Sequence, residues 1–170
     1  MTTHENEFEL QSAIHRVGEL VGGLGLSFSE MPRHALGGGF ALAFAEDVIV
    51  AVSVSFGNHH QFSISWGVAK DLARDAASIT WACNRHNQDL TAYPVHLHDA
   101  DAGWDILQTC TFPVQLFEAE PDFIAGWLLN PGYSAVIRGI RDAFVAAGIA
   151  MQPYLWNADD ANRLMMRSLI

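Results

Sequence analysis

The chain has 170 residues, half of them hydrophobic and 16% charged, which supplies enough apolar material for a domain-sized core and excludes a disordered acidic segment. Nineteen acidic residues against nine basic ones give a formal net charge of −10. A surface of this sign repels nucleic-acid phosphates and anionic lipid, so we expect neither a nucleic-acid partner nor a membrane partner.

The first predicted element is a helix over residues 5–20, because apolar residues recur there at alternating steps of four and three. Thr2 and Glu5 have the spacing of a capping box, which favours a helix start at this point. The pair Gly22-Gly23 predicts the helix end. The apolar face consists of Leu10, Ile14, Val17, Val21 and Leu24.

Alternating apolar residues predict an antiparallel region after this helix. A short run at residues 26–31 comes first, and three strands come after it. Glu46-Asp47 and Gly57-Asn58 separate the three strands and are the predicted turns of a meander. These strands cover residues 40–44, 48–56 and 62–66.

The hydrophobic period changes after the third strand, where we predict a second helix. Asp71 is its expected N-cap, and the helix is expected to close at Asn87. Two more strands are predicted at residues 93–99 and 104–112, joined by a turn rich in Asp and Gly. The apolar stripe of the helix consists of Leu72, Ala76, Ile79 and Cys83.

The last strongly patterned segment is a helix that begins with Ser134 as N-cap and ends at Gly148. Its apolar face consists of Tyr133, Ile137, Ile140 and Phe144.

Two segments leave alternatives open. Residues 113–130 either continue the sheet through Val114, Leu116 and a bulge, or contain a short helix around residues 122–129. The tail over residues 157–170 is a weakly capped amphipathic segment, with Ala161, Leu164, Met165 and Leu169 at helical spacing.

The predicted order is therefore α-β-β-β-α-β-β-α with a C-terminal helical tail after it. Runs of strands separated by single helices predict the α+β class, with an antiparallel sheet of about five strands and helices mainly on one face. No linker or repeat divides the chain, so we predict one domain over residues 1–170. Its core covers about residues 8–148, and residues 149–170 form an extension.

Three motifs of the predicted sheet region resemble the YbjN-domain family. They are Phe62-Ser-Ile-Ser-Trp66 at the end of the meander, Asn84-Arg-His-Asn87 at the end of the second helix, and Tyr93-Pro-Val-His-Leu97 in the next strand. The resemblance implies a fold similar to that of type III secretion chaperones, which are small, acidic and dimeric. It implies no catalytic residues, because members are described as bacterial regulators of uncharacterised activity, including sensory transduction regulators. For the two asparagines it implies a structural role, capping carbonyls in a left-handed conformation.

Histidine is over-represented, with eight residues in the chain, and this raises the question of a metal site. His96 and His98 are two apart on a predicted strand and should project from one face, while His59-His60 lies at a turn. We weigh a zinc site, or a small-molecule or metal-dependent enzyme using His96 and His98, against histidines that are merely exposed. No Glu or Cys spacing supports a zinc site, so we predict no metal and no cofactor.

No nucleophile motif occurs, and Cys83 and Cys110 lie among apolar residues, as buried thiols of a reducing compartment do. The N-terminus is acidic, unlike the basic start of a signal peptide, so we expect a cytoplasmic location. We predict no catalytic residue, and therefore a protein that is not an enzyme.

The tryptophans point to protein contacts. Trp81 lies off the apolar stripe of its helix, whereas Trp127 and Trp156 fall in the two irregular segments. With Leu164 and Met165 of the tail they are the candidate partner-binding residues, unless the loops fold over them as a second layer of core. The expected function is a non-enzymatic, chaperone-like or regulatory module that binds a protein or peptide client and acts as a homodimer.

Overall fold

A computed structural model describes residues 3–31, 37–56, 60–73, 77–89, 94–100 and 103–169. These residues form six strands and six helices, and all the strand pairs are antiparallel. The predicted α+β class is confirmed, with one strand more than the approximate number expected.

The helices and strands follow one another along the chain largely in the predicted order. The helices are α1 Thr3–Gly23, α2 Ala77–Asp89, α3 Val114–Ala119, α4 Pro121–Leu128, α5 Gly132–Ala146 and α6 Ala158–Ser168. The strands are β1 Ser27–Glu30, β2 Gly37–Ala45, β3 Val48–Phe56, β4 His60–Leu72, β5 Val95–Ala100 and β6 Gly103–Pro113. Their order in the sheet is β1-β2-β3-β4-β6-β5, so β1 and β5 are the edge strands of the described sheet.

One face of the sheet carries most of the helical layer. Buried residues of α1 to α5 pack there against alternate residues of the strands, such as Val50, Val52 and Ile64. The predicted apolar stripes of α1 and α5 are confirmed on this face, since Val17 and Ile140 are buried. Of the stripe predicted for α2, Ile79 and Cys83 are buried there, whereas Ala76 lies outside the described residues. Burial of such stripes is the main stabilising contribution of an amphipathic helix.

The opposite face is covered in part by α6. Helix α6 lies over β2, β3 and β4, and its apolar side chains form a second core with the strand residues that point away from α1 to α5. The expectation of helices mainly on one face is thus confirmed, and the tail docks on its own chain. The second core includes Ala41, Ile49, Ala51, Leu107, Ala161, Leu164, Met165 and Leu169.

The strand β4 extends further than the sequence predicts. Asp71 and Leu72 belong to it, and α2 begins only at Ala77, so the assignments of Asp71 as N-cap and of Leu72 to a helical stripe are wrong. The reason is tertiary: Leu72 pairs with Trp104 of β6 and is fully buried. Asp71 has a φ of 56°, and its backbone N–H donates to Asp105 at 3.4 Å.

Helix boundaries in the second half of the chain agree with the predictions in part. The N-cap of α5 is Pro131, not Ser134, because proline's restricted φ, here −64°, suits a helix start. The predicted stop is confirmed by the φ of 79° at Gly148. Of the two alternatives for residues 113–130, the short helix around 122–129 is confirmed as α4, and α3 comes before it where Val114 and Leu116 could have continued the sheet. Helix α6 is firmly capped, with the Asn157 side chain accepting from the Asp160 backbone N–H at 2.9 Å.

Asn84 and Asn87 lie within α2, and the only described non-glycine residue with positive φ is Asp71, so the left-handed caps implied by the resemblance are wrong. Asn87 instead joins α2 to β5. Its amide donates to the Val95 carbonyl at 3.0 Å, and its carbonyl accepts from the Val95 N–H at 2.8 Å. The expected capping residue Thr2 and the turn Gly57-Asn58 lie outside the described residues.

Candidate functional site

The five candidate partner-binding residues lie in three different environments. Leu164 and Met165 belong to α6 and are buried on its side that faces the sheet, so their assignment to a partner surface is wrong. Their apolar stripe is satisfied by the second face of the sheet. Trp156 is half-buried against the same core.

Trp127 is also half-buried, because it belongs to an aromatic cluster on the first face. Its ring centroid lies 5.4 Å from that of Trp66 and 5.0 Å from that of Tyr133. Tilted and edge-on contacts of this kind stabilise a core beyond the area they bury. Trp127 therefore takes the alternative role considered for it, as part of a second layer of core.

Trp81 alone among these residues is mostly exposed, with 58% of its surface accessible. It lines a groove of about 330 Å³ between α2 and α5, whose floor includes the buried side chains of Ala82 and Phe144. The Arg85 guanidinium carbon lies 5.3 Å from the Trp81 ring centroid, a cation–π geometry, and His86 also lines the groove.

A second concave site lies on the other face of the sheet, beside α6. It is a polar trough of about 420 Å³ that runs from the end of α6 across β6 to the edge strand β5. The prediction that His96 and His98 project from one face is confirmed, since both line it. The polar residues that line the trough include Ser55, Gln61, Ser63, His96, His98, Thr109, Thr111, Arg167 and Ser168.

Hydroxyl groups of neighbouring strands form the floor of the trough. The Oγ of Ser63 lies 3.2 Å from the Oγ1 of Thr111, and the Oγ of Ser65 lies 3.0 Å from the Oγ1 of Thr109. Each pair occupies facing positions of β4 and β6. These cross-strand hydrogen bonds leave each hydroxyl with capacity for a further bond.

A buried carboxylate organises the charges at one end of the trough. Asp105 is fully buried and accepts hydrogen bonds from the Tyr154 hydroxyl at 2.9 Å and from Arg163 Nε at 2.7 Å. Arg163 also donates to Asp71 at 2.9 Å. Burial, together with the neighbouring Asp105 carboxylate, raises the pKa of Tyr154 above its usual range, so this hydroxyl stays a donor.

Arg167 has fewer hydrogen-bond partners than Arg163. Arg167 Nε is buried, has no hydrogen-bond partner among the described residues, and lies 3.6 Å from Asp105 Oδ2. Burial lowers the pKa of His98 below its ordinary value, and the charges of His96 and Arg167 lower it further against the opposing effect of Asp105. A neutral His98 is therefore the dominant form near pH 7.

The described residues contain no group of three or more His, Cys, Asp or Glu side chains that could hold a metal ion. His59 and the side chain of His60 lie outside the described residues. Burial raises the pKa of the Cys83 thiol to about 11, as for an unreactive core thiol, and raises the pKa of the half-buried Cys110 as well. None of the described helices combines the length and apolarity needed to cross a membrane.

Sequence reasoning missed Asp105, Tyr154, Arg163 and Arg167. One signal was available: Arg163 and Arg167 are four residues apart in the amphipathic tail, which places them on the same helix face. No pattern linked that face to Asp105, which lies on a strand formed by a distant part of the chain.

Comparison of the chain with known proteins yields no match to a family model, to a curated protein or to a solved structure. The resemblance to the YbjN-domain family therefore stays a prediction.

Proposed function

We propose that this protein is a non-enzymatic protein-interaction module that binds an acidic amphipathic helix in the groove between α2 and α5. The observation that carries the proposal is the position of Trp81, 58% exposed at the rim of a groove with an apolar floor. Tryptophans at concave surfaces are frequent anchors of protein interfaces, because one side chain removes a large apolar area from water on binding.

The charge of the groove supports an acidic partner. Arg85 and His86 are the charged or titratable residues among the described ones that line it. On a chain with a net charge of −10, a groove with basic lining attracts a segment that carries carboxylates beside an apolar side chain.

The chain itself contains a segment of this kind. Phe8, near the start of α1, is 76% exposed, and the exposed Glu9 comes directly after it. A second copy can therefore supply the occupant, with Phe8 against Trp81 of its partner. If two copies exchange these contacts reciprocally, the result is a closed twofold dimer, the assembly implied by the YbjN-domain resemblance.

Light scattering of the full chain over a range of concentrations tests this proposal. We expect a concentration-dependent dimer that becomes a monomer in both Phe8→Ala and Trp81→Ala. Phe123→Ala is the matched control, since Phe123 is 54% exposed on α4 and does not line the groove; it should leave the dimer unchanged. Mixing the two monomeric variants should partly restore dimers, because one of the two contacts is then intact.

A wild-type chain that stays monomeric at every concentration overturns the proposal. So does a dimer whose mass is as insensitive to Trp81→Ala as to Phe123→Ala. A dimer that depends on Trp81 and ignores Phe8→Ala overturns α1 as the occupant and with it the proposed twofold exchange. Thermal unfolding of each variant checks that the exposed substitutions leave the fold intact.

A further inference from the structure

The geometry of the trough points to a second binding site, independent of the α2–α5 groove: an oxyanion-bearing ligand, with a phosphate, sulfate or carboxylate group, held by Arg167 and the two histidines. The trough has the size of a small-molecule site, about 420 Å³, and opens to solvent along β6 and β5.

Hydrogen-bond donors converge in the trough without acceptors from the described chain. No hydrogen bond joins the guanidinium of Arg167 to a described residue, although its Nε is buried. His96, which is exposed, and His98, which is half-buried, lie in the same trough. A buried donor without an acceptor is costly, so the unpartnered Arg167 Nε, beside two imidazoles in one trough, indicates that an acceptor is supplied from outside.

Asp105 is not the missing hydrogen-bond acceptor for Arg167. Its two carboxylate oxygens already accept from Arg163 and from Tyr154. Arg167 Nε, at 3.6 Å from Asp105 Oδ2, lies beyond hydrogen-bond distance. Asp105 therefore holds Arg167 in place electrostatically while leaving its donors available.

The position of Arg167 in the last turn of α6 has a second explanation, because a cation there offsets the negative end of the helix dipole. That explanation accounts for a positive charge and not for its orientation. A lysine or arginine directed to solvent would serve the dipole equally well, whereas Arg167 is only 24% exposed and lines the trough with the strand hydroxyls.

The charge balance around His98 predicts how the ligand binds. Arg163 and Arg167 of α6 face Asp105 of β6 and Asp71 of β4, so these four charges cancel when His96 and His98 of β5 are neutral. An entering oxyanion makes the trough negative, and that charge favours protonation of His98. Binding should therefore take up protons and be tighter at lower pH.

The donors also set the ligand class. A guanidinium presents a planar fork that matches carboxylate, sulfate and phosphate oxygens. The hydroxyls of Thr109 and Thr111 on the floor can complete the coordination of a tetrahedral group or of a second carboxylate oxygen. A metal cation is disfavoured, because Arg167 lies beside the only two described histidines of the trough.

Titration of the full chain at low ionic strength with sodium sulfate, sodium succinate and neutral methyl glucoside tests the proposal. Sulfate keeps its charge over the relevant pH range, so any pH dependence reports the protein. Amide NMR shifts should appear at Thr109 and Thr111 with sulfate or succinate, and the stronger of the two tells a tetrahedral ligand from a carboxylate. Methyl glucoside should produce none.

Arg167→Gln should weaken oxyanion binding about tenfold or more, the loss expected for a charge-assisted contact. Arg16→Gln is the control, because Arg16 pairs with Glu118 in the helical layer. His98→Gln should remove most of the pH dependence. The pKa of the His98 imidazole, measured by NMR in the unaltered chain, should rise when sulfate is added, and this readout does not depend on the folding of any variant.

Shifts with neither anion, or a His98 pKa that sulfate leaves unchanged, overturn the site. Equal anion affinity in Arg167→Gln and Arg16→Gln does so as well. Failure of the α2–α5 groove to support a dimer leaves these results unaffected, since none of the residues tested here lines that groove.

Discussion

The second face of the sheet is divided between a part that α6 covers and a part that it leaves open. Along β3, the residues that point to this face are Ile49 and Ala51 beneath α6, then Ser53, which is buried at the end of α6, and Ser55, which lines the trough. The boundary is marked by Ser168 Oγ, which donates to Ser53 Oγ at 3.2 Å. A single strand thus changes from apolar to hydroxyl side chains where its cover ends.

The two parts also treat charge differently. Under α6, the Lys70 ammonium donates to Asp160 at 2.5 Å and 2.7 Å, and Asp160 also accepts from the Leu155 N–H at 2.8 Å. In the trough, the Arg167 guanidinium has no hydrogen bond to a described residue. Burying a charge is tolerated only when it has partners, so the pair of Lys70 and Asp160 contributes to stability. The guanidinium of Arg167 is the group whose hydrogen-bond donors are available for a ligand.

The largest expected loss of stability is for Asp105, whose carboxylate lies between the covered part of this face and the trough. Asp105→Ala leaves Arg163 without its principal partner and removes the acceptor of the Tyr154 hydroxyl. Breaking a buried ion pair on one side costs about 3–5 kcal/mol of folding free energy. Urea unfolding measures it, and a loss under about 0.5 kcal/mol, the range of surface substitutions, would show that the network does not stabilise the fold.

A second prediction compares one residue from each part. Leu164 of α6 is fully buried against the sheet. Leu164→Ala should therefore lower the free energy of unfolding by about 2–5 kcal/mol, through lost burial and the cavity left behind. His96 is exposed in the trough, so His96→Ala should change stability by less than about 0.5 kcal/mol. Equal losses in urea unfolding would contradict the division between a stabilising part and an open one.

The covered part was largely predictable from sequence, and the open part was not. The stripe Ala161, Leu164, Met165 and Leu169 needs only the helical period, which is local. The distal end of β4 escaped prediction because the register with β6 shifts between Gly67 and Ala69 and again before Leu72, which breaks the period of two. When a register shift changes which residues of a strand face the core, the spacing of its apolar residues resembles that of a helix.

Gly67 lies where the structure has no room for a side chain, and the amino-acid composition does not reveal this. A Cβ at this position would lie 2.6 Å from the Tyr154 ring, so only glycine allows that ring to reach across the sheet to Asp105. The proximity of Arg167 to His98 likewise spans a long stretch of the chain and exists only because α6 docks beside β6. Neither contact has a local signature, which is why sequence patterns predict the candidate site only through its two histidines.

The smallest expected effect concerns pH and again separates the two parts. Burial lowers the folded-state pKa of His98 from its ordinary value of 6.5, with further contributions from His96 and Arg167. Below 6.5 the unfolded chain therefore binds more protons than the folded one, so His98 lowers stability as the pH falls from this value through the folded pKa.

Urea midpoints of wild type and His98→Gln, compared at several pH values without added oxyanion, isolate this contribution of His98. The difference between the two proteins should change with pH below neutrality and level off above it. Adding sulfate should diminish the destabilisation in the wild type, because a bound anion favours the protonated imidazole in the folded state. If the difference between the two urea midpoints is constant across the pH range, His98 is solvated like a residue of an exposed loop. The trough would then not differ electrostatically from the rest of the surface.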